Sequence, residues 1–153
     1  MKLRIAKFYL DTAMRDITAL GTVPYHAIFL VFLLLFSQYG LFYTVLLGEI
    51  LVYVISVFLK LAFFKNRPQR MGHENILEKI EASSFPSVHT ARIFFVSILL
   101  MLRINNLMVA AFLLLLSLFV AYSRIYLKKH YFVDVLAGAA LGSVLGYVVA
   151  AYI

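Results

Sequence analysis

The chain has 153 residues, 64% of them hydrophobic and 14% charged, with a formal charge of +7 and no cysteine. A soluble domain is about half apolar and about a quarter charged, so this composition excludes a water-facing globule and fits a chain solvated largely by lipid. The positive balance points to anionic lipid surfaces or phosphorylated substrates rather than nucleic acid, and disulfides are excluded.

Residues 3–20 read as an amphipathic helix. Leu3, Ala6, Leu10, Ala13, Met14 and Ile17 fall on one face; Arg4, Lys7, Asp11, Arg15 and Thr18 fall on the other. Such a helix lies in the membrane interface, with Gly21 as its stop. The alternative is an extension of the first span. The stretch lacks the continuous apolar core of a secretory signal.

Apolar runs follow near 24–38, 41–64, 88–103, 105–122 and 131–153. A span needs roughly 20 apolar residues, and helices satisfy their backbone groups within one segment. The alternation of a membrane barrel is absent. These runs predict five spanning helices. The patch Arg103 to Asn106 divides the third from the fourth, because two asparagines suit a turn. Pro68 is expected to end the second span, and Gly72 to break any continuation. Within 65–87 the stretch HENILEKIE predicts a short surface helix. The expected fold is therefore all-α and integral to the membrane: about five transmembrane helices plus an N-terminal interfacial helix. It forms one domain, 1–153, with the interfacial helix at 1–21 and the loop region of a site at 65–87. Five spans place the N-terminus, this loop and the segment 123–130 on one membrane face.

Polar chemistry collects on that face. Lys60 and Arg67 are seven residues apart and return to nearly one helical stripe. They form either a clamp for a multiply charged anion or a pair of snorkelling anchors. Ser87 precedes an apolar run and is placed to cap a helix whose free N–H groups attract anions; His89 sits in its first turn. His130 and Asp134 are spaced i, i+4, so the carboxylate can hold one imidazole nitrogen and leave the other as a lone pair. That pair is either an oriented nucleophile or a structural ion pair. Taken together, Lys60, Arg67 and Arg124 supply three cations, Ser87 a hydroxyl, and His89 and His130 two imidazoles. Cations in this number can replace a metal at a transferring phosphoryl group.

The segment KLAFFKNRP, Lys60 to Pro68, fits the pattern KxxxxxxRP, and SRIYLKKHYFVD, Ser123 to Asp134, fits SRxxxxxHxxxD without a gap. PSVH, Pro86 to His89, is one residue from PSGH. In this order, on membrane helices, the three resemble the type 2 phosphatidic acid phosphatase family, by motif over roughly 60–153 and more loosely over 8–60. The resemblance implies a multi-pass lipid phosphatase of the cell membrane that needs neither metal nor cofactor. It implies that Lys60, Arg67 and Arg124 hold phosphate oxygens, with Ser87 and the Val88 N–H as further donors. His130 would form a phosphohistidine, oriented by Asp134, and His89 would protonate the leaving group. Phosphatidate, phosphatidylglycerophosphate and isoprenyl diphosphate are the candidate substrates.

Two features depart from the family pattern. Val88 stands where the motif has glycine. Valine keeps the N–H but disfavours positive φ, so an ordinary backbone region is expected there. The family commonly has six spans, and the first is missing here. Vanadium haloperoxidases share the motifs but are soluble. A non-catalytic lipid-phosphate carrier needs only the cations, not the His130–Asp134 pair.

Gly138, Gly142 and Gly146 continue the stripe from Asp134 and predict close helix packing within one chain rather than a dimer seam. The expected partners are the lipid substrate and membrane lipids, with the chain a monomer or weak homodimer. Glu49 lies ~16 Å deeper than Lys60 on nearly the same face and has either a functional or a packing role. His26 and His73 are expected at the interface. Lys2, Arg4 and Lys7 join the cations of the polar face. The positive-inside rule makes that face cytoplasmic, whereas the family usually works on the outer side; both orientations stay open.

Overall fold

Seven helices follow one another in the computed structural model, which describes residues 2–152 with side chains from Arg4 onward. They are α1 (Lys2–Ala19), α2 (Val23–Leu35), α3 (Tyr39–Ala62), α4 (Ile76–Ala82), α5 (Val88–Ile104), α6 (Leu107–Tyr126) and α7 (Phe132–Tyr152). The side chains of Lys2 and Leu3 lie outside the described residues. No strand occurs among those residues, in line with the all-α expectation.

Local sequence sets the breaks. Pro24 falls in the first turn of α2, where its missing N–H has no helical partner to lose. The turn expected at Asn105 and Asn106 is present. Asn105 closes α5 in the left-handed region, with φ 48°, and Asn106 caps α6 by accepting from the N–H groups of Met108 and Val109. The short helix α4 is capped by Asn75, which accepts from the Glu78 N–H.

Among the described residues three helices, α3, α6 and α7, are each long and apolar enough to cross a membrane by themselves, and α1 with α2 forms a pair, bent by 49°, that passes the same test together as a broken span or a re-entrant loop. The remaining long helix, α5, has 17 residues and carries Arg92 and Arg103. It packs against α3, α6 and α7, so it need not be apolar on every side. The outward faces of the other helices are greasy: Phe58, Phe112, Val144 and Tyr147 are all exposed. Apolar surface on this scale faces lipid, and the chain is a multi-pass integral membrane protein.

The second span also ends earlier than expected. α3 stops at Ala62, six residues before Pro68, because the chain then pairs with the far end of the same loop. Asn66 bridges Ser83 in antiparallel fashion, and the Ser84 N–H donates to the Lys65 carbonyl at 2.7 Å. Arg67 is therefore on this loop, not on one helical stripe with Lys60.

α1 turns its polar face toward the end of α6. Tyr126 donates to Asp11 Oδ1 at 2.7 Å, and Arg124 Nη1 donates to Thr18 Oγ1 at 2.8 Å. Phe8 and Tyr9 point away and are exposed.

The tightest packing joins α5 to α7. A Cβ at Gly142 would lie 2.1 Å from the Ala91 carbonyl oxygen, and one at Gly138 2.4 Å from that of Ser87. The glycine stripe thus packs two helices of one chain backbone to backbone. Phe95, on α5, fills the layer above and sits over Gly48 of α3; with Val45, Val52, Leu99 and Val149 it forms the core.

Overpacking a close helix contact costs about 1–3 kcal/mol, so Gly142→Ala should lower the thermal midpoint in detergent by several degrees. Gly40→Ala, where nothing lies within 4 Å, should not. Equal midpoints for the two variants would contradict the α5–α7 contact.

Candidate active site

The polar ends of α1, α3, α5, α6 and α7 meet the loop 63–87 at one end of the bundle. Lys60 stands in the last turn of α3 and is 4% exposed. Its ammonium donates to the carbonyls of Ile80, at 3.2 Å, and Ser83. Both carbonyls lie at the C-terminal end of α4, where a helix presents unpaired oxygens. Lys60 thereby ties the loop to the bundle and keeps a third N–H.

Three arginines carry spare donors. Arg67 Nε, Arg92 Nε and Arg124 Nε are buried and have no hydrogen-bond partner among the described residues. A buried donor left unpaired costs about 1–3 kcal/mol, which an anion accepting from it would recover. Burial lowers the Arg67 pKa against the opposing pull of Glu81 and Asp134, but a guanidinium remains charged.

Ser87 occupies the position before α5, as expected, yet its side chain does not cap that helix. The hydroxyl accepts from Thr90 Oγ1 at 3.0 Å, and its N–H donates to the Asp134 carbonyl at 2.9 Å. Val88 is the first residue of α5. Among the described residues only Ser37, Asn105 and Lys128 have positive φ, so Val88 needs none of glycine's freedom. Gly21 packs against His89: a Cβ there would lie 2.8 Å from the His89 carbonyl oxygen.

The expected His130–Asp134 hydrogen bond is not made. His130 Nδ1 donates to the Ser84 carbonyl at 2.7 Å. Asp134 accepts from Lys65 Nζ at 2.7 Å and from the Tyr131 N–H at 2.8 Å. The reason is geometric: an i, i+4 contact needs both residues on one helix, and α7 begins at Phe132, leaving His130 in the preceding turn. Asp134 instead reaches back to the residue before its helix, in the manner of a capping box. Lys65, whose ammonium also lies 4.5 Å from the Tyr131 ring centre, completes its neutralisation. A carbonyl can only accept, so Ser84 fixes the proton on Nδ1 and leaves Nε2 as the free lone pair. The tautomer expected from Asp134 is thus set by a backbone oxygen.

A cavity of ≈ 220 Å³ brings together Lys60, Arg67, Val88, His89 and His130. Ser87 and Asp134 are fully buried behind it. Arg124 opens instead onto a wider groove of ≈ 820 Å³, lined also by Lys7, Arg15, Lys128 and Lys129. Burial, and then the positive charges of Arg124 and Arg67, push the His130 pKa well below the ordinary imidazole value. Its free nitrogen is therefore available at neutral pH.

Sequence reasoning passed over Arg92, which also lines the cavity. The signal was its place three residues after His89, one helical turn deeper. His26, expected at the interface, is buried at 7% exposure. It contacts Glu49 Oε1 at 2.6 Å, while Glu49 Oε2 pairs with Arg92 Nε at 3.1 Å. His73 stays outside, its ring 5.1 Å from that of Phe64.

Residues 39–153 match the PAP2 superfamily. Among curated proteins none matches the chain. Two solved structures are similar. One is Aquifex aeolicus LpxE, with a TM-score of 0.79 and 27% identity, covering 94% of this chain and 87% of that one. The other is a transmembrane PAP2-type phosphatidylglycerolphosphate phosphatase from Bacillus subtilis, with a TM-score of 0.75 and 24% identity, covering 94% and 76%.

Two outcomes follow from this geometry. Val88→Gly should change affinity for inorganic phosphate by less than about threefold, since an ordinary φ gives no conformational advantage to glycine; a larger gain would mean that valine distorts the turn. The second concerns pH. The native His130 pKa lies below its unfolded value of about 6.5, so the unfolded chain takes up a proton that the native site refuses. Stability should therefore fall as pH drops below about 6.5, by at most about 1.4 kcal/mol per pH unit from this group. Thermal unfolding of His130→Asn should show a shallower fall; parallel curves would mean that the native imidazole is protonated normally.

Proposed function

The chain belongs to the PAP2 superfamily, and from that membership we propose that it hydrolyses lipid phosphate monoesters or isoprenyl diphosphates without metal, through a phosphohistidine on His130. The observation that carries the reading is the shared cavity in which Lys60, Arg67 and His89 face His130, whose Nδ1 proton is held by Ser84.

His130 Nε2 attacks phosphorus and forms an N–P bond while the bond to the leaving oxygen breaks. His89 gives that oxygen a proton. Lys60 and Arg67 neutralise equatorial oxygens from within the cavity, and Arg124, which opens onto the neighbouring groove, supplies its buried and unpaired Nε to the third; the Val88 N–H and Ser87 add donors at the start of α5. A water, deprotonated by His89, then breaks the N–P bond and releases inorganic phosphate. Asp134 acts at one remove: it holds Lys65 and the Tyr131 N–H, and so the turn that carries His130. The lipid tail lies between helices while the phosphate meets the site from the membrane surface. Phosphatidate, phosphatidylglycerophosphate and isoprenyl diphosphate all fit this description.

The test is phosphate release by detergent-purified protein with a chelator present. His130→Ala and His89→Ala should each lose at least about 100-fold, and Lys60→Ala or Arg67→Ala about 100-fold or more. If the histidine variants release phosphate as fast as the parent, the mechanism is wrong. A parent that binds every lipid phosphate tried but hydrolyses none would instead be a carrier.

A further inference from the structure

Beyond the phosphate cradle, a second charged device reaches the same cavity from the membrane side. It consists of His26 on α2, Glu49 on α3 and Arg92 on α5, all largely buried. Glu49 is shared: one oxygen lies 2.6 Å from His26 Nδ1 and the other 3.1 Å from Arg92 Nε. His26 Nε2 lies 3.0 Å from the Leu20 carbonyl.

A carbonyl only accepts, so His26 Nε2 carries a hydrogen. The short contact between Nδ1 and the carboxylate needs one further hydrogen, on whichever partner. Adding the arginine, which is always charged, the triad has a net charge of +1 whichever side holds the shared proton. A net charge buried at this depth is costly unless it meets an anion.

The triad sits at the deep end of the cavity. Arg92 lies ~4.5 Å along α5 beyond His89, and Tyr53 ~10.5 Å along α3 before Lys60. Arg92, Tyr53 and Val23 line both the reaction cavity and an adjoining, mostly apolar cavity of ≈ 270 Å³ reaching Ala27, Leu30 and Ile50. The Arg92 guanidinium carbon is 5.9 Å from the Tyr53 ring centre. No hydrogen bond from its terminal nitrogens to protein occurs among the described residues. A lipid with its phosphate at His130 and its tail in the apolar cavity would pass Arg92 on the leaving-group side of His89.

We propose that Arg92, held by Glu49 and His26, is a specificity-determining residue that binds a second phosphate on the leaving-group side, so that the preferred substrates are lipids bearing two phosphates. This deepens the phosphatase reading and rests on its assignment of His89 to the leaving group. With a diphosphate, the N–P bond forms at His130 as the bridging P–O bond breaks. The departing lipid monophosphate keeps the bonding electron pair, and Arg92 meets its charge. A phosphodiester a few atoms further along the leaving group presents the same chemistry.

The experiment compares matched lipids: farnesyl diphosphate against farnesyl monophosphate, and phosphatidylglycerophosphate against phosphatidate. The ratio of kcat/KM within each pair is measured for the parent, Arg92→Ala, Arg92→Lys and Glu49→Gln. A charged hydrogen bond is worth about tenfold or more. The ratio should therefore fall about tenfold or more in Arg92→Ala, less in Glu49→Gln, and be partly restored in Arg92→Lys. A fall in the farnesyl pair assigns the second phosphate to a diphosphate; a fall in the glycerolipid pair alone assigns it to a phosphodiester. Unchanged ratios in both pairs would overturn the proposal and leave the triad as a tie between α2, α3 and α5. Binding of the same lipids to His130→Ala, with and without Arg92→Ala, decides the point without turnover. If the parent hydrolyses none of the four, the phosphatase reading fails, while an unequal loss of binding still supports the role of Arg92.

Discussion

The backbone contact between α5 and α7 is the constraint on which the site depends. Gly138, Gly142 and Gly146 let α7 lie directly on the carbonyls of Ser87, Ala91 and Phe95. In lipid there is little hydrophobic drive between helices, so close packing and polar contacts must hold them. The contact also fixes a register. Asp134 and Ser87 are brought to one level, where the Ser87 N–H donates to the Asp134 carbonyl. The turn carrying His130 is thus set against the first turn of α5, which carries His89.

A second constraint ties the loop to this frame. Lys60 holds the carbonyls at the end of α4, Lys65 holds Asp134, and Ser84 holds His130. These bonds join the segment 63–87 to α3, to α7 and to the turn that precedes α7. The loop needs little hydrophobic burial of its own, because charged hydrogen bonds are stronger than neutral ones. Most of these contacts involve groups that also serve the cavity, so the site and its scaffold share the same residues.

Much of the architecture was legible in the sequence. The apolar runs and the paired asparagines at 105 and 106 marked the helices, because lipid demands internally bonded segments. The spacing of Lys60, Arg67, Ser87, His89, Arg124, His130 and Asp134 marked one polar end. Less legible were the helix ends. α3 stops at Ala62 because residues 65–66 pair with 83–84, a contact between segments that local propensity does not encode. The ends of α5 were legible, since Val88–Ile104 follows the apolar run 88–103 closely, although the helix is less apolar than the neighbours that surround it.

By itself the sequence determined the solvent of this protein, its helical character and the side-chain chemistry gathered at one end, since these follow from composition and from the periodicity of a helix. It also placed Asp134 near His130 in the chain. Only the tertiary structure decided which atoms meet. A backbone carbonyl, that of Ser84, holds His130, and carbonyls carry no signature in a sequence. Lys65 takes Asp134 because the loop after α3 folds back across the start of α7. His26, Glu49 and Arg92 come from three helices separated by long stretches of chain, and become one charged group only when those helices pack.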